Sequence, residues 1–266
     1  MGEEVIKQNV VSWTRGKPVK PLKIEIWLTF LCNLKCKFCD FWKHKRAEQE
    51  PREMTDEQLR SLIHESLEFG IQHFTFSGAG EPWLRGALLL EFMRDITVAG
   101  RDGHLLSNGT LFSEEDIREI VEIGWGSVVL SLDGPTREIH DGLRGQRGAC
   151  ERTVSAATRF AVERRREGTS RPHLAFNVVV TRRNWHLVAQ MIRFTVDMGF
   201  DQVLFRALMD ITPWSGDLKL QQQEQEQFVA AVSRGTALAE RLGVETNLGE
   251  FSSPAPCVIL ERCMPC

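Results

Sequence analysis

Apolar and polar positions alternate along this chain in blocks, and the blocks change period repeatedly. Residues 24–30 form a nearly continuous apolar run and predict a strand. Residues 55–69 carry helical spacing, with Leu59, Leu62, Ile63 and Leu67 on one face and Thr55 placed as the N-cap. Residues 72–76 predict a strand, 84–98 a helix and 104–107 a strand. Ser113 caps a helix running to Ile123, whose positive end suits Glu114, Glu115 and Asp116. A strand at 127–132 leads through a polar loop into a helix over about 148–166. Strand, helix and strand follow at 173–180, 185–198 and 202–208, then a long helix over about 221–242 and a short strand at 244–246.

Six strand-helix units with crossovers of this length predict parallel pairing. Six are too few for a closed eightfold barrel. The expected fold is therefore α/β, a partial (β/α)6 TIM-like barrel. The expected organisation is a lead segment at 1–21, a core domain at 22–243 and a short cysteine-rich extension at 244–266. In such architectures the chemistry sits in the loops that follow the strands.

Composition narrows the class. The chain has 266 residues, 42% of them hydrophobic, enough for a full core. Its formal net charge of -3 lacks the basic excess of nucleic-acid binders. No apolar run reaches the roughly 18 residues of a membrane span, and the mixed-charge N-terminus resembles neither signal nor transit peptide. A cytoplasmic protein is expected. Seven cysteines are present, and six lie in two tight groups: Cys32, Cys36 and Cys39, and Cys257, Cys263 and Cys266. In a chain without an export signal, such grouping favours metal ligation over disulfides.

The first group leaves strand one directly, in LTFLCNLKCKFCDFW. Soft thiolates suit zinc or iron-sulfur clusters. Zinc commonly takes four protein ligands, and here three cysteines stand in a compact loop with only His44 as a nearby fourth donor. Three thiolates leave one iron of a cubane cluster open to a small molecule. This CxxxCxxC loop, with Phe38 before the third cysteine, resembles the radical S-adenosylmethionine (SAM) superfamily. The resemblance implies a [4Fe-4S] cluster on Cys32, Cys36 and Cys39, with SAM chelating the open iron. It further implies reductive cleavage of SAM to a 5′-deoxyadenosyl radical that abstracts hydrogen from substrate.

Further motifs extend the resemblance from about residue 22 to 208. Ser77-Gly78-Ala79-Gly80-Glu81-Pro82 resembles the family's GGEP motif, which implies contacts from Gly78, Gly80 and Glu81 to the SAM amino group. Ser107-Asn108-Gly109-Thr110 marks a turn after the third strand, and Asn108 is expected near the ribose. Ser131-Leu132-Asp133-Gly134 with His140 and Arg144 resembles the SxDG…H…RG run, which places Ser131 and Arg144 on the SAM carboxylate. Asn177 is expected near the methionyl moiety. Arg206 points to the SAM end of the pocket or to substrate, and Asp133 to a substrate or structural role. The tail cysteines resemble the start of a SPASM or twitch extension and imply an auxiliary [4Fe-4S] cluster on Cys257, Cys263 and Cys266. A zinc site or a thiol tail is the alternative.

The implied activity is an iron-sulfur oxidoreductase or maturase acting on a peptide or small molecule, with an electron donor such as flavodoxin or ferredoxin. Two alternatives are a molybdopterin-precursor-type cyclase, whose usual Gly-Gly C-terminus is missing here, and a non-catalytic metal-binding scaffold.

Overall fold

The computed structural model describes residues 3–39, 41–43, 53–208 and 213–251. His44 and the tail cysteines Cys257, Cys263 and Cys266 lie outside the described residues. The elements in chain order are α1 (Glu3–Thr14), β1 (Lys23–Trp27), α2 (Asp56–Phe69), β2 (His73–Ser77), α3 (Gly86–Val98), β3 (Asp102–Ser107), α4 (Glu114–Ile123), β4 (Ser127–Ser131), α5 (Arg137–Arg144), α6 (Ala149–Arg166), β5 (His173–Val180), α7 (Val188–Asp197), β6 (Gln202–Ala207), α8 (Gln222–Leu242) and β7 (Glu245–Thr246).

The seven strands form one parallel sheet in the order β1-β2-β3-β4-β5-β6-β7. The sheet does not close, because β1 and β7 are its edges. This is the expected partial barrel with the short seventh strand in place. Local chemistry sets the helix starts. Thr55 and Gln58 form a capping box on α2, and Ser113 and Asp116 form one on α4.

Period two along each strand separates two faces. Ile26, Phe74, Phe76, Leu105, Val128, Leu130, Phe176, Val203 and Phe205 join the helices in one hydrophobic core. The opposite face is polar and in register. Glu25, Thr75, His104, Ser127 and His173 share one level. Ser131, Asn177 and Leu204 share a level nearer the C-terminal ends. Val244, Leu248 and Phe251 also pack into the core, so the chain beyond residue 243 continues the same packed unit as far as it is described.

Two elements depart from the expectation. The stretch read as a polar loop after β4 contains α5, whose buried residues are His140, Leu143 and Arg144. Its buried side is mostly titratable, so apolar periodicity does not reveal it. The lead segment contains α1, which exposes Val10, Val11 and Trp13.

Candidate active site

The loop after β1 carries its three cysteines against the segments that follow β2, β3 and β4. Leu34, Cys36 and Ala149 form a small apolar cluster separate from the main core, against which Cys32, Phe38 and Cys39 pack. Burial pushes the Cys32 thiol up to about 12 and raises that of Cys36, although the Arg144 guanidinium opposes the rise at Cys36. Thiols in such a setting become thiolates when a metal binds them. A cubane cluster binds each thiolate through a separate iron, and three soft thiolates on one loop are a donor set that fits it.

Neighbouring loops fix the cysteine loop. The Gly80 amide donates to the Thr29 carbonyl at 3.2 Å, and the Glu81 amide to the Leu31 carbonyl at 2.8 Å. A Cβ on Gly80 would collide with both of those carbonyl oxygens, so this approach requires glycine. Gly78 lies against the Trp27 side chain. Asn33 Nδ2 donates to Thr110 Oγ1, and Asn108 Nδ2 to Asn33 Oδ1, each at 2.8 Å. Asn108 Oδ1 accepts from the Thr110 amide and hydroxyl. The Asn108 side chain therefore ties the cysteine loop to the β3 turn.

Glu81 is buried. Its Oε1 accepts from the Trp83 amide at 3.0 Å and the Ser107 hydroxyl at 2.7 Å, and its Oε2 from the Asn108 amide at 2.7 Å. Burial raises its pKa, and these three donors pull against the rise. Its carboxylate thus latches the β2 turn to the β3 turn.

On the far side, Asp133 is fully buried beside Arg144. Arg144 Nη2 donates to Asp133 Oδ1 at 3.0 Å, while Nε lies 2.7 Å from Oδ2, off the line of a hydrogen bond. Arg144 Nη1 donates to Cys36 Sγ at 3.9 Å, and its Cζ sits 5.3 Å from the centre of the Phe38 ring. Burial works against the guanidinium charge, but Asp133 and Cys36 outweigh it and raise its pKa. Asp133 Oδ1 also accepts from the Val179 amide at 3.0 Å. The Asp133 amide donates to His140 Nδ1 at 3.1 Å, and Asn184 Nδ2 to the Asp133 carbonyl at 2.8 Å.

Ser131 and Asn177 stand side by side on β4 and β5. Their side chains, and that of Arg206 on β6, make no hydrogen bond or ion pair among the described residues. The structure thus brings Cys32, Cys36, Phe38, Cys39, Gly80, Glu81, Asn108 and Arg144 into one bonded assembly. It leaves Ser131, Asn177 and Arg206 with unspent polar groups on the adjoining face. Asn33, Thr110 and Asn184 were not singled out by sequence. Asn33 lies inside the cysteine motif and Thr110 beside Asn-Gly, but Asn184 carries no local signal.

A family model for the radical SAM superfamily matches residues 28–194. The chain belongs to the radical SAM superfamily. Members of this superfamily bind a [4Fe-4S] cluster and SAM. Among curated radical SAM relatives, a tungsten-containing aldehyde ferredoxin oxidoreductase cofactor-modifying protein of Pyrococcus furiosus is 27% identical over 201 residues, 73% of this chain and 53% of that protein. A PqqA peptide cyclase of Bradyrhizobium diazoefficiens is 26% identical over 197 residues, 74% of this chain and 48% of that protein. The chain thus spans about half the length of these relatives. Streptococcus suis SuiB bound to its precursor peptide SuiA superposes with a TM-score of 0.68 at 16% identity, covering 92% of this chain and 53% of SuiB. No described helix is long and apolar enough to cross a membrane.

Proposed function

We propose that this chain cleaves SAM reductively on a [4Fe-4S] cluster held by Cys32, Cys36 and Cys39 and directs the resulting radical at a peptide or small-molecule substrate. The observation that carries the reading is the three-cysteine loop, with Cys36 buried and Cys32 and Cys39 half-buried, bonded on one side to the Gly78–Glu81 turn and on the other to Arg144. Bound together, cluster and SAM supply a 5′-deoxyadenosyl radical that abstracts hydrogen.

The chain's own residues position and enclose. Glu81 spends its carboxylate on holding the turn, which leaves the Gly78–Gly80 backbone to meet the SAM amino group. Asn108 fixes the β3 turn on the ribose side. Ser131 offers its unspent hydroxyl to the SAM carboxylate, with Arg144 as the cation of that end, and Asn177 lies along the methionyl moiety. Phe38 closes the pocket beneath Arg144. The Arg206 guanidinium, without a hydrogen bond or ion pair among the described residues, is left for substrate. The PqqA cyclase and the SuiB–SuiA complex favour a peptide substrate. A low-potential carrier such as flavodoxin or ferredoxin would deliver the electron, and Cys257, Cys263 and Cys266 would hold an auxiliary cluster.

Anaerobic reconstitution with iron and sulfide tests this. The expected product is a brown protein that forms 5′-deoxyadenosine from SAM under a strong reductant. Formation at the parental rate by Cys36→Ala would refute the cluster assignment. Iron near about four per chain would leave the tail empty, and near about eight would load it. One zinc per chain without SAM cleavage would mark a metal-binding scaffold instead.

A further inference from the structure

We propose that Arg144, held in place by Asp133, is a positioning residue that sets the reduction potential of the cluster through Cys36. The inference rests on the cluster assignment above and goes beyond it by giving this arginine a task independent of SAM.

The donors of Arg144 decide the matter. Its Nε and Nη2 face the Asp133 carboxylate, its Nη1 faces Cys36 Sγ, and its Cζ lies over the Phe38 ring.

The arrangement is also stiff. The Lys37 amide donates to the Leu143 carbonyl at 2.8 Å, so the C-terminal end of α5 is bonded to the cysteine loop itself. Gly145 follows with φ +67, and a Cβ there would collide with the Lys35 carbonyl oxygen. Behind the pair, Asp133 is anchored through the Val179 amide, His140 and Asn184. Arg144 therefore cannot leave Cys36 without abandoning a buried carboxylate, a costly exchange at this depth.

A fixed positive charge beside a ligating sulfur stabilises the cluster state with one more electron. Reduction adds one electron from a low-potential one-electron carrier, takes up no proton and breaks no bond. The core charge falls by one, and the guanidinium favours that product. Asp133 works in the opposite sense, tempering the effect while fixing the guanidinium.

The test is an electron-paramagnetic-resonance redox titration of the reconstituted full chain, without SAM, using titanium(III) citrate as titrant. Arg144→Gln is expected to lower the ratio of reduced to oxidised cluster at fixed potential about tenfold, equivalent to about 59 mV for one electron. Asp133→Asn is expected to shift the ratio the other way, because it removes a negative charge and keeps the cation. Generic loosening of the loop would move both variants in the same direction, and that result overturns the proposal. So does an unchanged SAM-free potential in Arg144→Gln with weakened SAM binding, which would leave the guanidinium a task at the SAM carboxylate alone. Should Arg144→Gln take up no iron, Arg144→Met provides the same reading, because it removes the charge and keeps most of the bulk. A parental potential in Arg144→Met would then overturn the proposal. A parent chain that binds no cluster would instead fail the functional reading.

Discussion

Two buried carboxylates stand on either side of the cysteine loop, and they are satisfied in different ways. Glu81, on the β2 side, is held by two backbone amides and a hydroxyl. Asp133, on the β4 side, is held by a guanidinium and one amide. Neutral donors fix a position and leave the carboxylate's own charge uncompensated, and that of Glu81 acts on Cys32. An ion pair is neutral overall and turns one end towards its surroundings, which here is the Arg144 cation towards Cys36. The β2 side therefore sets a negative charge beside the loop, and the β4 side a positive end.

Substitutions can break this contrast, and the largest effect is expected at Asp133. Asp133→Ala strands a buried guanidinium, and urea unfolding of the apo chain should show a loss of about 3–5 kcal/mol. An Asp133→Leu/Arg144→Met double variant should recover most of that loss, because an apolar pair can replace a buried ion pair. No recovery would mean that the pair is not coupled. Acid comes next. Burial holds His140 down at about 4, with the Arg144 charge acting in the same direction. A lowered histidine favours the folded chain fully above its unfolded pKa of 6.5, and this contribution is lost as pH falls towards about 4. Stability should drop by about 3 kcal/mol across that window, and His140→Gln should flatten the profile there. Glu81 pulls the other way: its raised pKa means that acidification relieves its buried charge.

Glu81→Gln should cost about 2 kcal/mol, since one amide group would then face donors with a donor. The SAM-free cluster potential should rise, opposite in sign to Arg144→Gln, because a negative charge beside the loop is removed. A fall in Glu81→Gln like that in Arg144→Gln would dissolve the distinction between the two sides. The smallest effect is expected for Asn33→Ala, about 1 kcal/mol, from the lost bonds to Thr110 and Asn108.

The strand order and most helices were legible because burial on the helix-covered face is apolar and periodic, as at Phe74, Phe76 and Leu105. The cysteine spacing was equally plain. Reading by apolar period missed α5, because two of its three buried residues are His140 and Arg144. It missed α1, where Val10, Val11 and Trp13 are exposed. The partners of the site were less visible still. Asn33 meets Thr110 across 77 positions and Cys36 meets Arg144 across 108. Such pairings follow from the stacking of whole βα units and leave no local signature.

The separation between Cys36 and Arg144 also orders events during synthesis. The three cysteines emerge with the first strand, whereas the arm that clamps Cys36 is added more than a hundred residues later. A nascent chain thus displays its thiols long before it can enclose them. Iron delivery gains from waiting until α5 has docked, and the interval before that is when oxidation of the cysteines competes with assembly of the site.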